Sequence, residues 1–329
     1  MDAIERIKSL TDKVLDEKDL DIDEANWLNS LTHHEHIFYL VAGADRIRQK
    51  YFNSSIELCS IVNAKSGRCS EDCRFCAQSA HYRTGVQTYP LLGEEKVIRS
   101  AEEAVATGVK RFSIVISGRR ISPGSDLERI CSMIEKISGL ERILPCASLG
   151  VLSSDTAQSL KSAGLIRYHH NLETAQGYFH YVCTTHSYEE RIATIRLAQE
   201  FGFELCSGGI WGLGETPEQR LELAFSLKDL RVDSVAINIL TPIKGTPMYN
   251  QVPMPPLEII KTIAIYRHIL PDQEIRVCGG RTKNLRSLQP LIYLAGCNGV
   301  MTGNYLTTKG RNPEEDITEI RDLGLTISS

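Results

Sequence analysis

Between residues 56 and 304, short β-rich segments alternate with amphipathic helical segments. Eight segments have strand character, namely 56–62, 111–117, 143–150, 166–173, 203–210, 234–240, 274–280 and 299–304. Several of the helical segments between them begin with Ser, Thr or Asp followed by acidic residues, a pattern typical of helix N-termini. Such alternation favours a parallel sheet, and eight units in about 250 residues match the size of a closed (β/α)8 barrel. An open doubly wound sheet is the structural alternative.

The first 52 residues have a different pattern, because they are helical throughout without intervening strands. No linker or low-complexity segment divides the chain. We therefore predict an α/β protein in which residues 1–52 form an N-terminal helical extension and residues 53–329 form a TIM-type (β/α)8 barrel.

Composition excludes several classes of partner. The net charge of −4 gives no electrostatic reason to expect nucleic acid or an anionic membrane. No apolar run reaches the roughly 18 residues of a membrane helix, and the charged N-terminus lacks the apolar core of a signal peptide. A cytoplasmic location is expected, where thiols stay reduced. Of the ten cysteines, Cys131, Cys183 and Cys297 have no patterned spacing and are interpreted as small buried residues or surface thiols.

Three cysteines are closely spaced after the first predicted strand. Cys69, Cys73 and Cys76 form a C-x3-C-x2-C pattern on what should be a loop at the C-terminal face of the barrel, where active sites lie. Thiolates favour soft metals, and three without a nearby fourth ligand leave one metal position open. A [4Fe–4S] cluster with one open iron fits this pattern. A zinc knuckle with His81 as fourth ligand is the alternative.

The cysteine spacing, with Phe75 before the last cysteine, resembles the signature of radical S-adenosylmethionine (SAM) enzymes. The segments SGRCSEDCRFCAQSAHY, YHHNLETA, CSGGIWGLGET, AINILTPIKGTPM and AGCNGVMTGNYLTTKG resemble the biotin synthase family, in the same order. The resemblance implies that the open iron chelates SAM, whose reductive cleavage releases a 5′-deoxyadenosyl radical. It further implies sulfur insertion into dethiobiotin at C9 and C6, with sulfide from an auxiliary iron–sulfur cluster. No protein acid or base is required, so no side chain is predicted to be catalytic in that sense.

The family resemblance also implies individual roles. Asn171 and Glu173 would hydrogen-bond the ribose of SAM, and Asn171 would also touch the substrate. Arg191 would meet the methionine carboxylate, and Ile210 would pack near the adenine. Asn238 would hold the ureido ring of dethiobiotin, for which a neutral amide is a suitable partner because it both donates and accepts hydrogen bonds. Taken singly, Asn171 could equally be a turn residue and Arg191 a surface charge.

The chain departs from the family at the auxiliary cluster. Biotin synthases usually hold a [2Fe–2S] cluster with three cysteines and an arginine. Cys146, Cys206 and Arg276 match three of these ligands, but Ser113 occupies the remaining cysteine position. The usual ligand set is therefore incomplete.

Four strands nevertheless share a pattern, IELC, ILPC, FELC and IRVC, with cysteine fourth in each. Cys59, Cys146, Cys206 and Cys278 would then lie on strands one, three, five and seven, and side chains of alternate strands share an interior layer of a (β/α)8 barrel. We hypothesise that these thiols hold a four-iron auxiliary cluster, resembling the [4Fe–5S] cluster of variant enzymes from obligate anaerobes. Arg276 is a further possible ligand. Four buried core cysteines are the alternative.

The resemblance implies partners that the residues do not reveal by themselves. These are a flavodoxin or ferredoxin electron donor, the iron–sulfur assembly machinery and a second copy of the chain in a homodimer. Two rival functions remain open at this point. One is a related radical barrel without sulfur insertion, of the hydrogenase-maturation or methylornithine-synthase type, and the other is a redox-sensing iron–sulfur or zinc protein.

Overall fold

The computed structural model describes residues 2–328. Position 1, where the predicted helical extension begins, and position 329, where the predicted barrel ends, lie outside the described residues. Eight strands alternate with helices, as predicted, at Ser55–Lys65 (β1), Arg111–Ile116 (β2), Leu144–Ser148 (β3), Arg167–His169 (β4), Glu204–Trp211 (β5), Ser234–Ile239 (β6), Glu274–Val277 (β7) and Gly299–Met301 (β8). A short ninth strand, Thr326–Ile327 (β9), follows.

The eight strands form a closed parallel barrel. Each strand pairs with the next, and β1 pairs with both β2 and β8, which closes the circle. β9 adds to the outer end of β1 through Ser55 and Ile56. The barrel prediction is confirmed, and the open doubly wound alternative is wrong because the edge strands of such a sheet would remain unpaired.

Helices surround the barrel and precede it. The α-helices are Ala3–Leu15 (α1), Ile22–Asn29 (α2), His34–Phe52 (α3), Glu94–Ala106 (α4), Ser125–Ser138 (α5), Ser154–Ser162 (α6), Tyr188–Glu200 (α7), Pro217–Asp229 (α8), Pro256–Ile269 (α9), Arg281–Leu285 (α10), Leu291–Leu294 (α11) and Pro313–Asp322 (α12). Short 3₁₀-helices cover Gln176–Tyr181 and Arg286–Leu288. The helices α2, α7 and α8 each begin with a capping box. In each box the N-cap side chain accepts the backbone N–H of the third helical residue, whose side chain accepts the backbone N–H of the N-cap residue.

The N-terminal helices pack against the outside of the barrel. α3 lies on α9, which is buried along all of Ile259–Ile269. Gly43 of α3 approaches both Thr11 and His268, whose side chains hydrogen-bond at 3.1 Å in a buried contact. The division at residue 52 stays a prediction, although α3 ends at Phe52 and β1 begins at Ser55. Among residues 2–328, no helix has the length and apolarity needed to span a bilayer.

Candidate active site

One cavity of about 410 Å³ occupies the barrel interior and the loops that follow the strands. Its walls combine strand residues that point inward with loop residues at the C-terminal ends of the strands. Every site residue predicted from the sequence lines it: Cys59, Cys69, Cys73, Cys76, Cys146, Asn171, Glu173, Arg191, Cys206, Ile210, Asn238, Arg276 and Cys278. Residues separated by more than 200 positions in the chain therefore face one space.

The loop after β1 carries Cys69, Cys73 and Cys76. Backbone hydrogen bonds fix its shape, among them Cys76 N–H to the Cys73 carbonyl at 2.9 Å and Cys69 N–H to the Gln78 carbonyl at 3.0 Å. Burial raises the pKa of the Cys76 thiol to about 11. Burial also raises the pKa of Cys69, and the hydrogen bond to Cys183 raises the pKa of Cys73, so metal binding must displace protons from all three thiols. Three sulfur donors facing one cavity suit an iron–sulfur cluster.

His81, the fourth ligand of the zinc-knuckle alternative, is not part of this wall. Its Nε2 lies 2.9 Å from the Ser70 carbonyl oxygen, and the ring stacks obliquely beside Tyr82. The zinc-knuckle alternative loses its proposed fourth ligand, because Nε2 is engaged by a backbone carbonyl and His81 does not line the cavity that the three thiols line.

Cys183 is a residue whose neighbourhood the sequence did not reveal. It is 3% exposed, and its Sγ lies 3.7 Å from Cys73 Sγ and 3.2 Å from His186 Nδ1. Ligand atoms of Cys73, Cys183 and His186 all lie within 4.8 Å of one another. Without iron on Cys73, the hydrogen bond that the Cys73 thiol donates lowers the pKa of the Cys183 thiol to about 4. No spacing rule finds this contact, since 110 residues separate the two cysteines.

The four inner cysteines are buried, and none is turned outward into the helical shell. Their exposed fractions are 9% for Cys59, 5% for Cys146, 8% for Cys206 and 2% for Cys278. Cys278 directly follows β7, which ends at Val277 rather than at residue 280 as predicted, and its N–H bonds the Ile237 carbonyl at 2.8 Å. Burial raises the pKa of all four, to about 12 for Cys146. Ser113 lines the same cavity.

Three arginines and three glutamates form a closed circle of ion pairs on the side of these thiols that faces the N-terminal ends of the strands. We call it the arginine–glutamate ring. Each arginine contacts two glutamates, and five of the six pairs have N–O distances of 2.8–2.9 Å. The pairs are Arg111–Glu204, Glu204–Arg167, Arg167–Glu274, Glu274–Arg276, Arg276–Glu57 and Glu57–Arg111.

A sequence signal for the arginine–glutamate ring exists in the strand pattern. Glu57, Glu204 and Arg276 each lie two residues before an inner cysteine, and Arg111 lies two residues before Ser113. Positions i and i+2 of a strand point to the same face. The interior layer directly below the inner cysteines, toward the N-terminal ends of the strands, is therefore made of charged side chains. Because the positive and negative groups are equal in number, this layer can be buried without a net charge.

Asn171, Glu173 and Arg191 meet after β4. Arg191 Nη1 donates to the Asn171 carbonyl at 2.7 Å and lies 3.5 Å from Glu173 Oε1. Asn171 Nδ2 donates to Glu173 Oε2 at 3.3 Å, whereas Asn171 Oδ1 is buried without a hydrogen-bond partner. Glu173 has a φ of +70°, and its carbonyl accepts the Ile210 N–H at 2.8 Å. A Cβ at Gly209 would lie 2.4 Å from that carbonyl oxygen, so glycine is needed there.

Asn238 of β6 bonds backbone groups on both of its sides, in β5 and just after β7. Its Oδ1 accepts the Gly279 N–H at 3.0 Å, and its Nδ2 donates to the Gly209 carbonyl at 3.3 Å. Both bonds hold the amide plane in one orientation. One hydrogen of Nδ2 and one lone pair of Oδ1 remain available to a polar ring in the cavity.

The loop after β8 supplies cavity residues that we did not single out from the sequence. Tyr305, Thr307 and Thr308 contribute hydroxyl groups to the wall. Their signal was present in the motif AGCNGVMTGNYLTTKG, whose polar residues follow the last strand as site residues do in barrels.

Comparison with known families divides the chain into two matched parts. Residues 64–227 match the model of the radical SAM superfamily, and residues 236–326 match the Biotin and Thiamin Synthesis associated domain. Curated proteins named biotin synthase are similar along nearly the whole chain. That of Geobacter sulfurreducens is 50% identical over 320 residues, covering 97% of both chains, and that of Trichlorobacter lovleyi is 47% identical, covering 98% of this chain and 96% of the relative.

Solved structures support the fold. A methylornithine synthase (PylB) aligns with a TM-score of 0.85 and 19% identity, covering 97% of both chains. The hydrogenase maturase HydG from Carboxydothermus hydrogenoformans aligns with a TM-score of 0.81 and 17% identity, covering 98% of this chain and 79% of the maturase. At these identities the likeness concerns the barrel alone. The likeness to the curated biotin synthases favours that family over both rivals, the radical barrel without sulfur insertion and the redox-sensing protein.

Proposed function

The chain belongs to the biotin synthase family of radical SAM enzymes, and on that premise we propose that it converts dethiobiotin to biotin with sulfur from a cluster held by four inner cysteines. The observation that carries the proposal is that Cys59, Cys146, Cys206 and Cys278 are buried around one cavity that also receives the three-cysteine loop. We assign a four-iron cluster, of the [4Fe–5S] kind, because Cys59 completes a set of four thiolates where the usual [2Fe–2S] set has three cysteines and an arginine.

Two metal groups would supply the chemistry. The cluster at Cys69, Cys73 and Cys76 would provide the electron that cleaves SAM, and the inner cluster would provide the sulfide. The protein's own tasks are to orient SAM and dethiobiotin between the two sites and to exclude water from the radical.

Arg276 acts in this proposal as a hydrogen-bond donor beside the cluster rather than as a ligand. Its Nη2 is bound by Glu274 at 2.9 Å and by Glu57, and its Nη1 lies 3.5 Å from the Glu57 carbonyl oxygen. A guanidinium held by two carboxylates stays charged and offers donors but no lone pair. Cys59 takes the place that Ser113 leaves vacant in the usual ligand set.

Asn171, Glu173 and Arg191 form the proposed SAM site. The Glu173 carboxylate would accept from the ribose hydroxyls, while the Arg191 guanidinium would pair with the methionine carboxylate. Arg191 is 7% exposed and its Nε has no partner, so it has a donor to offer an anionic ligand. Ile210 would contact the adenine, since it is half-buried against the apolar residues Leu213, Leu240 and Phe75.

Dethiobiotin is proposed to bind through its ureido ring. The unpartnered Asn171 Oδ1 would accept a ureido N–H, which would remove the cost of a buried acceptor without a hydrogen bond. Asn238 would use the remaining Nδ2 hydrogen for the ureido carbonyl. A flavodoxin or ferredoxin donor, the iron–sulfur assembly machinery and a homodimeric state complete the proposal by family analogy.

Anaerobic reconstitution followed by iron and sulfide analysis tests the four-cysteine cluster. The proposal expects about eight irons per chain, whereas about six would restore a [2Fe–2S] cluster and about four would leave no inner cluster. Cys59→Ala should lower the count to that of the three-cysteine cluster and abolish biotin formation.

The matched control is Cys131→Ala, which removes a half-buried thiol of α5 that faces neither site. Cleavage of SAM to 5′-deoxyadenosine by Cys59→Ala should persist, because the three-cysteine loop is intact. A Cys59→Ala protein that keeps the full iron count and makes biotin would contradict the proposed ligand set.

A further inference from the structure

Cys183 lies behind the cluster ligand Cys73, with the two sulfur atoms 3.7 Å apart. We propose that Cys183 donates a hydrogen bond to the metal-bound sulfur of Cys73 and thereby sets the reduction potential of the SAM-cleaving cluster. The proposal rests on the ligand role of Cys73 and is independent of the inner cluster.

The direction of this bond follows from metal binding. A cysteine that ligates iron has lost its proton, so the hydrogen between the two sulfurs must come from Cys183. A thiolate at Cys183 would place a second anion 3.7 Å from the metal-bound sulfur, next to the carboxylates of Glu71 and Asp72. Once Cys73 binds iron, its proton no longer stabilises a Cys183 thiolate, and charge repulsion in this buried site favours the neutral thiol.

Other acceptors near Cys183 are already occupied. His186 Nδ1 lies 2.5 Å from Glu71 Oε2, so its hydrogen belongs to that carboxylate and the nitrogen has no lone pair for Cys183. Asp72 Oδ1 lies 3.2 Å from Cys183 Sγ but accepts the N–H groups of Thr184 at 2.8 Å and Thr185 at 3.2 Å, with the Thr185 hydroxyl also at 3.2 Å. Thr185 Oγ1, 3.4 Å from Cys183 Sγ, already accepts the Asp72 N–H at 3.2 Å. Cys73 Sγ is the acceptor that remains.

The surrounding contacts hold Cys183 in position. Asp72 Oδ1 accepts the N–H groups of the two residues after Cys183, and the Arg74 N–H donates to the Val182 carbonyl at 2.9 Å. The cysteine loop and the segment around residue 183 are thus bound together at two points. A donor held this firmly can act on the electronic state of the cluster, because hydrogen bonds to cluster sulfurs stabilise the reduced, more negative form.

Redox titration of the SAM-responsive electron paramagnetic resonance signal tests the proposal in the reconstituted enzyme. Cys183→Ala removes the donor, and we expect the reduced fraction at a fixed potential to fall up to about tenfold, equivalent to a negative shift of about 59 mV for a one-electron couple. Cys183→Ser keeps a hydroxyl donor and should restore part of the shift. Cys131→Ala is the control and should leave the potential unchanged.

Iron analysis of the same samples separates positioning from ligation. The proposal requires that Cys183→Ala and Cys183→Ser retain the iron content and the change in signal on adding SAM. An unchanged potential in Cys183→Ala would mean that the thiol hydrogen points to Asp72, and the proposal would fail. A loss of iron in both variants would make Cys183 a ligand and would likewise overturn it.

Discussion

Replacing Glu274 by glutamine should destabilise the protein by about 3 kcal/mol, because it opens the arginine–glutamate ring. Glu274 Oε2 lies 2.8 Å from Arg167 Nη1 and 2.9 Å from Arg276 Nη2, and its side chain is 19% exposed. The variant has nearly the same shape but leaves two buried arginines short of one carboxylate.

The magnitude follows from the burial of the partners. The side chains of Arg167 and Arg276 are 4% and 3% exposed, so water cannot replace the missing charge. Removing one member of a buried ion pair costs about 3–5 kcal/mol, and the lower end applies here because each arginine retains another glutamate. For a chain of 329 residues the unfolding entropy is about 0.7 kcal/mol/K, so 3 kcal/mol corresponds to a fall in Tm of roughly 4 °C.

The pH dependence of the unfolding free energy gives an independent readout. Burial alone would raise the pKa of Glu274, but Arg276 and Arg167 hold it well below its usual range. A carboxylate with a depressed native pKa stabilises the fold above its unfolded pKa of about 4.3 and loses that contribution as the pH falls further. The variant should therefore lose less stability than the wild type on acidification.

Thermal unfolding under anaerobic conditions, at pH 7 and at pH 4, measures both effects. Asp12→Asn is the control, because its ion pair with Arg46 is more than half exposed on both sides and should contribute less than about 1 kcal/mol. If Glu274→Gln unfolds at the same temperature as Asp12→Asn, the arginine–glutamate ring does not stabilise the barrel as argued.

Three further changes have defined outcomes. Asn238→Ala should raise the KM for dethiobiotin about tenfold in steady-state assays with the iron content unchanged, since one hydrogen bond to the ureido ring is lost. Arg191→Met should weaken SAM binding by about 10- to 100-fold in equilibrium dialysis, the loss of one charge-assisted hydrogen bond, and an unaffected affinity would remove Arg191 from the SAM site. Gly280→Ala should destabilise the fold by more than about 2 kcal/mol in thermal unfolding, because φ is +83° and a Cβ would lie 1.8 Å from the Ile239 carbonyl oxygen. Gly108→Ala, at a φ of +77° in open space, is its control and should cost less.

The barrel was predictable because its strands and helices have clear periodicity. All eight strands lie where β-rich segments were identified, and the register of the inner cysteines followed from a pattern of four residues repeated in alternate strands. The end of β7 was less accurate, because the strand ends at Val277 although the Gly279 carbonyl still accepts the Ile239 N–H at 2.8 Å, and Gly280 then turns the backbone at a φ of +83°.

Contacts between distant loops could not be predicted in the same way. Cys183 contacts Cys73 because the segment after β4 folds over the cysteine loop. Neither segment has a hydrophobic periodicity from which this contact could be predicted. The ion pairs of the arginine–glutamate ring were also missed, although their residues share strand faces with the inner cysteines. Which arginine pairs with which glutamate depends on how neighbouring strands are aligned when the barrel closes. That alignment is a property of the folded barrel and not of any single strand sequence.

A barrel sealed at one end by ion pairs has a consequence for the order in which its contents arrive. If Cys59, Cys146, Cys206 and Cys278 hold a cluster as proposed, its iron and sulfide would enter from the open end of the barrel and pass the three-cysteine loop. The inner cluster would then have to be assembled before the outer one, and rebuilding it would require that dethiobiotin and SAM leave first.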